Sequence, residues 1–286
     1  AVLADLAPLR DSDPAALLVQ AEPLPHAWAG QVDAGQAAVL EARRLVLVAG
    51  ALLWLARFDE ANAALDAAEA ALQAAGPGQQ AEAAASRMRL LHNRAYLANR
   101  QHDHAGSFRA YLQALALAQA VGDDRSRCVI LSNLANSYEE AGLFAQSIEH
   151  QQQALALARQ LQWAQMEADA RHNLGNALAA SGQPAAGLES QLQAASLFAD
   201  LGLPARLAAA KVGVAERQIE LQHPALALDT LAQCEALQAQ QPHPFLPAYA
   251  SVLKGRALQA LGQQPSPAWH TKTPTHWSGA ALYLAV

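Results

Sequence analysis

Hydrophobic and polar positions along the chain form helical segments that end at regularly spaced glycines. The apolar residues are mostly Ala and Leu, which favour helix over strand. Gly142, Gly182 and Gly262 break the apolar periodicity where one helix would end and a turn begin. The pattern therefore predicts an all-α chain of helices joined by short turns.

The helical segments repeat with a period of 40 residues. The run QALALA at 113–118 recurs at 153–158, and a looser copy, QAASLF, occupies 193–198. Each copy is preceded at the same interval by a second matched element, so each unit is predicted to be a helix, a short turn and a second helix. The second element begins at Asn93, Asn133 and Asn173.

Three positions of the unit are always occupied by small residues, which indicates close packing between helices. The first-helix position holds Ala49, Ala95, Ala135, Gly175, Ala215 and Gly255. The early second-helix position holds Ala61, Ser107, Ser147, Gly187 and Ala227, and the later one holds Ala68, Ala114, Ala154, Ala194 and Cys234. Composition alone would not fill every one of these positions with Ala, Gly, Ser or Cys, so the register is set by the repeat.

At these three positions of the unit, the chain resembles the tetratricopeptide repeat (TPR) family, which places small residues where neighbouring helices pack closely. The opening Phe58-Asp-Glu-Ala61 resembles the family's usual start of a second helix. The period is similar to the longer repeats of kinesin light chains and of bacterial regulators with MalT-like helical arrays. The resemblance implies a right-handed α-solenoid, a superhelix of stacked antiparallel helix-turn-helix repeats. The family's early Trp is replaced by Leu91, Leu131 and Arg171.

The repeat divides the chain into three predicted regions. Residues 1–36 are expected to form an N-terminal helical cap or degenerate repeat, and residues 263–286 a tail without repeats. The tail has three interpretations: a disordered end, a segment folded back onto the last hairpin, or an artefact of the reading frame. Between these regions the array is predicted to consist of units 37–76, 81–120, 121–160, 161–200 and 201–240 and a half unit, 247–262.

Composition and charge restrict the function. The chain has 19 basic and 25 acidic residues, a net charge of -6, and no basic stretch that could follow a phosphate backbone, so we expect no nucleic-acid partner. The most apolar run, 45–56, is shorter than the roughly 20 residues of a membrane helix. Two cysteines and no visible signal peptide fit a cytoplasmic protein, and the start on Ala1 fits a fragment or a processed product.

The resemblance also implies which residues bind a partner, because the first helix of each unit faces the concave groove in this family. Asparagine amides there can donate to and accept from an extended peptide. The alternative is that the asparagines bridge neighbouring helices inside the array, since Asn is a poor residue within a helix. The candidate contacts are His92, Asn93, Tyr96, Arg100, Asn133, Asn136, Glu139, His172, Asn173 and Asn176.

Motifs of catalysis are missing from the sequence. There is no GxSxG, HExxH, paired CxxC or phosphate-binding glycine loop, so we expect no enzyme activity and no cofactor. His102 and His104 lie in a predicted turn with no further His or Cys close in sequence, and we assign no metal to them.

Three functions follow from these observations. The leading hypothesis is a protein-interaction scaffold that binds a peptide or protein segment in the concave groove. The alternative is a small-molecule-responsive sensory domain of a larger bacterial signalling protein, in which a cyclase, kinase or transcription regulator would be the effector. An enzyme of unrecognised type is the third. Because the array ends in a half unit, we also expect self-association through its C-terminal end.

Overall fold

The computed structural model describes residues 2–28, 30–239 and 246–263, and every regular element in these ranges is a helix. The prediction of an all-α chain of helix-turn-helix repeats is confirmed. Residues 2–130 form one compact unit, and the described residues from 131 onward form a second, so that the boundary falls within one helix. Of the helices in the described part of the chain, none combines the length and apolar character needed to cross a membrane. The predicted tail lies outside these ranges from residue 264 on.

The first unit begins with four short helices, which lie in the region where the sequence predicts a helical cap or degenerate repeat. These are α1 (Val2–Leu6), α2 (Leu9–Ser12), α3 (Pro14–Ala21) and α4 (Leu24–Trp28). Their buried residues, with Leu17 fully enclosed, pack against Leu47 and Ala51 of the first long helix. The N-terminal segment therefore covers one side of that helix.

Two long hairpins make up the rest of the first unit. They are α5 (Ala34–Trp54) with α6 (Phe58–Ala74), and α7 (Gln80–Arg100) with α8 (His104–Val121). A 3-10 turn, Pro77–Gln79, separates the two hairpins. Asp33 and Asp103 cap α5 and α8 by accepting hydrogen bonds from backbone N–H groups in the first turns. The small residues Ala49, Ala61 and Ala68 are fully buried, as close helix packing requires.

The next helix, α9 (Asp124–Glu140), begins in the first unit and ends in the second. The second unit continues in the same alternation of helix and short turn, with consecutive helices in contact from α10 onward. Its further helices are α10 (Phe144–Gln160), α11 (Ala164–Ala180), α12 (Pro184–Asp200), α13 (Pro204–Glu220), α14 (Pro224–Gln238) and α15 (Leu246–Ala260).

Glycines allow two helices of the second unit to pack closely and allow two of its turns to form. A Cβ atom added to Gly187 of α12 would lie 2.6 Å from the carbonyl oxygen of Gly175 in α11, so only glycine allows these helices to approach this closely. Gly142 and Gly182, which the sequence pattern placed in turns, have left-handed backbone angles of φ 74° and 86°. Gln162 and Gln222 adopt the same conformation without being glycine, with φ of 51° and 63°.

Candidate functional site

The ten candidate contact residues lie on three first helices. Helix α7, in the first unit, holds His92, Asn93, Tyr96 and Arg100, and the other six lie on α9 and α11 within the second unit. Each unit therefore has its own first-helix surface, defined here as the side chains that its first helices present away from the second helices.

Two buried glutamines hold the asparagines of the second unit. Gln151 Nε2 donates to Asn136 Oδ1 at 2.8 Å and to the carbonyl oxygen of Ser132 at 3.2 Å. Forty residues later, Gln191 Nε2 donates to Asn176 Oδ1 at 2.6 Å. Both glutamines are fully buried. The two glutamines were not among the predicted site residues. They recur at the repeat interval, two positions before the QALALA element and its looser copy, and this recurrence could have identified them.

Asn173 bridges neighbouring first helices. Its Nδ2 donates to Ser132 Oγ at 3.3 Å, which joins α11 to α9, and its side chain is buried. Asn133, one residue beyond Ser132, is half-buried. Together with the Gln–Asn pairs, this contact corresponds to the second interpretation of the asparagines, in which their amides bridge helices inside the array.

A cluster of charged groups with unmet hydrogen-bonding capacity lies on the first-helix surface of the second unit. Asp169 is only 8% exposed; one carboxylate oxygen accepts from Arg206 of α13, and Oδ2 has no partner among the described residues. Burial raises the pKa of Asp169 to about 6, against the opposing effect of Arg206. One turn further along α11, His172 Nδ1 likewise has no partner in the described ranges, and burial with the nearby Arg206 and Arg217 lowers the pKa of His172 to about 4.

Glu139 of α9 shares the neighbouring Arg217 with His172. Its Oε2 is buried without a hydrogen-bond partner from the described part of the chain. Burial and the neighbouring Glu140 raise the pKa of Glu139 to about 7, while Arg217 opposes the shift. Arg217 is 6% exposed and forms ion pairs of 2.8 Å with Glu216 and Glu220, so its charge is already compensated.

The first unit has a different electrostatic character. Asn93 Nδ2 donates to the carbonyl oxygen of Val46 at 3.0 Å and thereby joins α7 to α5. His92 meets the ring of Tyr111 edge-on, with ring centroids 5.7 Å apart. Burial and the positive charges of Arg10 and Arg89 lower the pKa of His92 to about 4.

The other two candidates of α7 lie at its C-terminal half. Tyr96 is half-buried against the core of the first unit, and Arg100 is exposed in the last turn. The ten candidate contacts do not include five further charged residues of the two units, namely Arg43, Arg89, Asp169, Arg206 and Arg217.

The two histidines to which the sequence analysis assigned no metal lie between α7 and α8, with His102 in the turn and His104 at the start of α8. The rings of His102 and His104 meet edge-on, with centroids 6.4 Å apart, and His104 Nδ1 lies 3.2 Å from Asn99 Oδ1. Within residues 2–28, 30–239 and 246–263, no group of three His, Cys, Asp or Glu side chains is placed to hold a metal ion.

Comparison with protein families identifies part of the repeat. Residues 86–160 match the family model for the tetratricopeptide repeat, which covers most of α7 and all of α8, α9 and α10. The chain has no match among the curated protein sequences.

Solved structures share the fold at low sequence identity. A signal transduction ATPase with numerous domains (STAND) with a tetratricopeptide repeat sensor, from Pyrococcus horikoshii, is 14% identical with a TM-score of 0.69, over 86% of this chain and 36% of that one. A Rap protein complexed with competence and sporulation factor is 16% identical with a TM-score of 0.64, over 78% of this chain and 64% of that one. A kinesin light chain with TPR-like repeats from Podosopora anserina is 22% identical with a TM-score of 0.53, over 62% of this chain and 87% of that one. The chain thus spans about a third of the STAND protein and about two thirds of the Rap protein.

Proposed function

We propose that the protein is an interaction scaffold that binds a peptide or protein segment on the first-helix surface of its second unit; the match of residues 86–160 to the tetratricopeptide repeat supports this. The proposal depends above all on one observation. Asp169 Oδ2, His172 Nδ1 and Glu139 Oε2 are buried on this surface without hydrogen-bond partners among the described residues. Buried polar atoms are nearly always paired in folded proteins, so these three call for a partner from outside.

An extended segment supplies the groups that these atoms lack. Its backbone N–H groups can donate to Asp169 and Glu139, and either its N–H or its C=O groups can pair with His172, depending on the tautomer. A bound segment would also exclude water from the charged pair of Asp169 and Arg206, which strengthens their attraction. Because these atoms are enclosed in the unbound structure, the side chains of Asp169, His172 and Glu139 turn towards the segment when it pairs with them.

The remaining candidate residues have supporting roles in this proposal. Asn136, Asn173 and Asn176 make their bonds within the second unit and hold α9 and α11 in place beneath the bound segment. Asn133 lies on α9 beside the cluster and is proposed as a flanking contact. On the first unit, His92, Asn93, Tyr96 and Arg100 are proposed as partner contacts of that unit's own first-helix surface.

Among the similar structures, the Rap protein is solved in complex with competence and sporulation factor. That complex supports the proposal because it places a bound partner on the same fold. The identity of the ligand is not transferred, since the two chains share 16% of their residues.

Selection from a random peptide library on the full chain tests the proposal. Enriched peptides are labelled, and their affinities are measured by fluorescence anisotropy for the parent and for a Glu139→Gln/His172→Gln variant. The matched control is Glu149→Gln/His150→Gln, which makes the same chemical change on the second helix α10. We expect the first variant to weaken binding roughly tenfold or more and the control to leave it unchanged, because the first variant removes the Glu139 carboxyl group and the His172 ring with which the segment pairs.

Circular dichroism of each variant establishes that its helices are intact. The scaffold proposal is wrong if no peptide is enriched by the parent, or if the enriched peptides bind the first variant as tightly as the parent.

A further inference from the structure

The first unit contains a cavity of about 380 Å³ between its two first helices, α5 and α7. This volume falls in the range of small-molecule sites, which are mostly apolar and contain a few convergent polar groups. The apolar part consists of Val39, Leu40 and Val46, which recur along one face of α5. Val39 and Val46 are 6% and 3% exposed, so this part of the wall is firmly packed from behind.

The polar part of the cavity is cationic. Arg43 of α5 and Arg89 of α7 line it together with Ser86, and none of the lining residues that the structure describes is acidic. None of the described side chains forms an ion pair with Arg43 or Arg89. The neighbouring Arg44, in contrast, is paired with Glu41 at 2.6 Å.

Arg43 and Arg89 are exposed residues that line the same cavity, and the positive charge of Arg43 acts on Arg89. Burial and the positive charges of Arg43 and Arg10 lower the pKa of Arg89. Like charges held together in a partly enclosed site destabilise it unless an anion lies between them. In the second unit, the residue at the equivalent position has a partner of opposite charge. Arg43 and Arg89 each stand six residues before the small residue of their first helix, and the same place in α11 holds Asp169, which is paired with Arg206.

We propose that the cavity binds a small organic anion. Its apolar body lies against Val39, Leu40 and Val46, and its carboxylate or phosphate head lies between the guanidinium groups of Arg43 and Arg89, within reach of the Ser86 hydroxyl. Arginine suits such a head because its planar fork of N–H donors matches carboxylate and phosphate oxygens in pairs. The site lies in the first unit and does not depend on the peptide surface of the second, so it adds a small-molecule ligand to the scaffold function.

Calorimetric titration of the full chain with four eight-carbon probes tests the site. Octanoate and octyl phosphate carry the two candidate heads, while octylammonium carries the opposite charge and octan-1-ol carries none. We expect saturable binding of at least one of the two anions, and affinities for octylammonium and octan-1-ol that are roughly tenfold weaker or worse. The stronger of the two anions identifies the head group.

Two variants and one control make the result specific. Arg43→Gln/Arg89→Gln should weaken binding of the anion roughly tenfold or more, while Arg43→Lys/Arg89→Lys, which keeps both charges, should restore part of the affinity. Arg87→Gln removes the same charge from an exposed position of α7 that does not line the cavity, and it should leave the affinity unchanged.

Three results would overturn the proposal. One is the absence of saturable binding of both anions at about 10 mM, a concentration that would fill even a site of millimolar affinity. The others are equal affinity for octan-1-ol and undiminished affinity in the Arg43→Gln/Arg89→Gln variant. Because the peptide test uses substitutions in the second unit and the anion test uses substitutions in the first, failure of either proposal leaves the other intact.

Discussion

Gln191 and Asn176 are joined across one hairpin by a hydrogen bond of 2.6 Å, and the same bond recurs forty residues earlier between Gln151 and Asn136 at 2.8 Å. The glutamines come from second helices and are fully buried. Two successive repeats therefore contain a polar pair within their core as well as the small residues that surround it. In the next hairpin the corresponding position holds the apolar Leu231, which is also buried.

Replacing one member of such a pair should destabilise the protein. In Asn136→Ala the buried Gln151 amide loses an acceptor, and we expect the free energy of unfolding to fall by about 1–3 kcal/mol. Urea denaturation followed by circular dichroism measures the change. The control Asn62→Ala removes an exposed asparagine and should change stability by less than about 0.5 kcal/mol. Equal effects of the two substitutions would show that the buried pair contributes nothing.

Gly213 of α13 is expected to be intolerant of a side chain. A Cβ atom at this position would lie 2.6 Å from Gln191 Nε2, which is too close for any real contact. We expect Gly213→Ala to lower the thermal midpoint, at a cost on the order of 1–3 kcal/mol for overpacking a filled core. The midpoint is measured by the loss of helical circular dichroism on heating.

Shortening the opposing side chain should relieve that clash. Gly213→Ala combined with Gln191→Ala is expected to be less destabilised than the sum of the single variants, since residues in contact couple. Gly78→Ala is the control, because a Cβ atom there meets nothing within 4 Å. Simple additivity of the two single effects would contradict the contact.

The pH dependence of the free energy of unfolding should reflect the raised pKa of Glu139. Its pKa rises from an ordinary value of 4.5 to about 7 on folding, so the folded protein binds more protons in this interval. The stabilising contribution of the neutral acid is therefore lost as the pH rises from 4.5 to about 7. Glu139→Gln removes this loss, so the variant should gain stability relative to the parent over the interval, by up to ~3 kcal/mol.

Urea denaturation of both proteins between about pH 5 and about pH 8 measures the difference. The two histidines with lowered pKa values, His92 and His172, titrate in both proteins and cancel to first order. Glu149→Gln, which makes the same chemical change on the exposed side of α10, is the matched control. A difference between Glu139→Gln and the parent that does not vary with pH would contradict the raised pKa of Glu139.

Both cysteines should be inert in the folded protein. Cys128 and Cys234 are 0% and 1% exposed, and burial raises the pKa of the Cys234 thiol to about 12. Since the thiolate is the reactive species, we expect no reaction with Ellman's reagent at about pH 8 on the time scale of minutes, and prompt reaction of both thiols in denaturant. Fast reaction of the native protein would show that α9 or α14 opens readily.

The sequence by itself determined the repeat, because the repeat is a local property of the chain. Small residues at fixed positions, such as Ala49, Ala135 and Ala215, are required wherever two helices touch, and all three are fully buried. Turn glycines such as Gly142 follow from the left-handed backbone that ends a helix. Apolar spacing and turn chemistry therefore suffice to predict hairpins, their period and which helix of each pair comes first.

Only the tertiary structure decided what the polar side chains contact. Asp169 and Arg206 are 37 residues apart and meet because α11 and α13 pack side by side, at a distance and angle that no periodicity encodes. The sequence left the asparagines found in register open to a partner or to neighbouring helices, and it did not indicate that Gln151 and Gln191 contact Asn136 and Asn176. The four N-terminal helices likewise pack on α5 through non-repeating apolar contacts. A repeat pattern fixes which residues face a neighbour, whereas the geometry of packing fixes which atoms of that neighbour they reach.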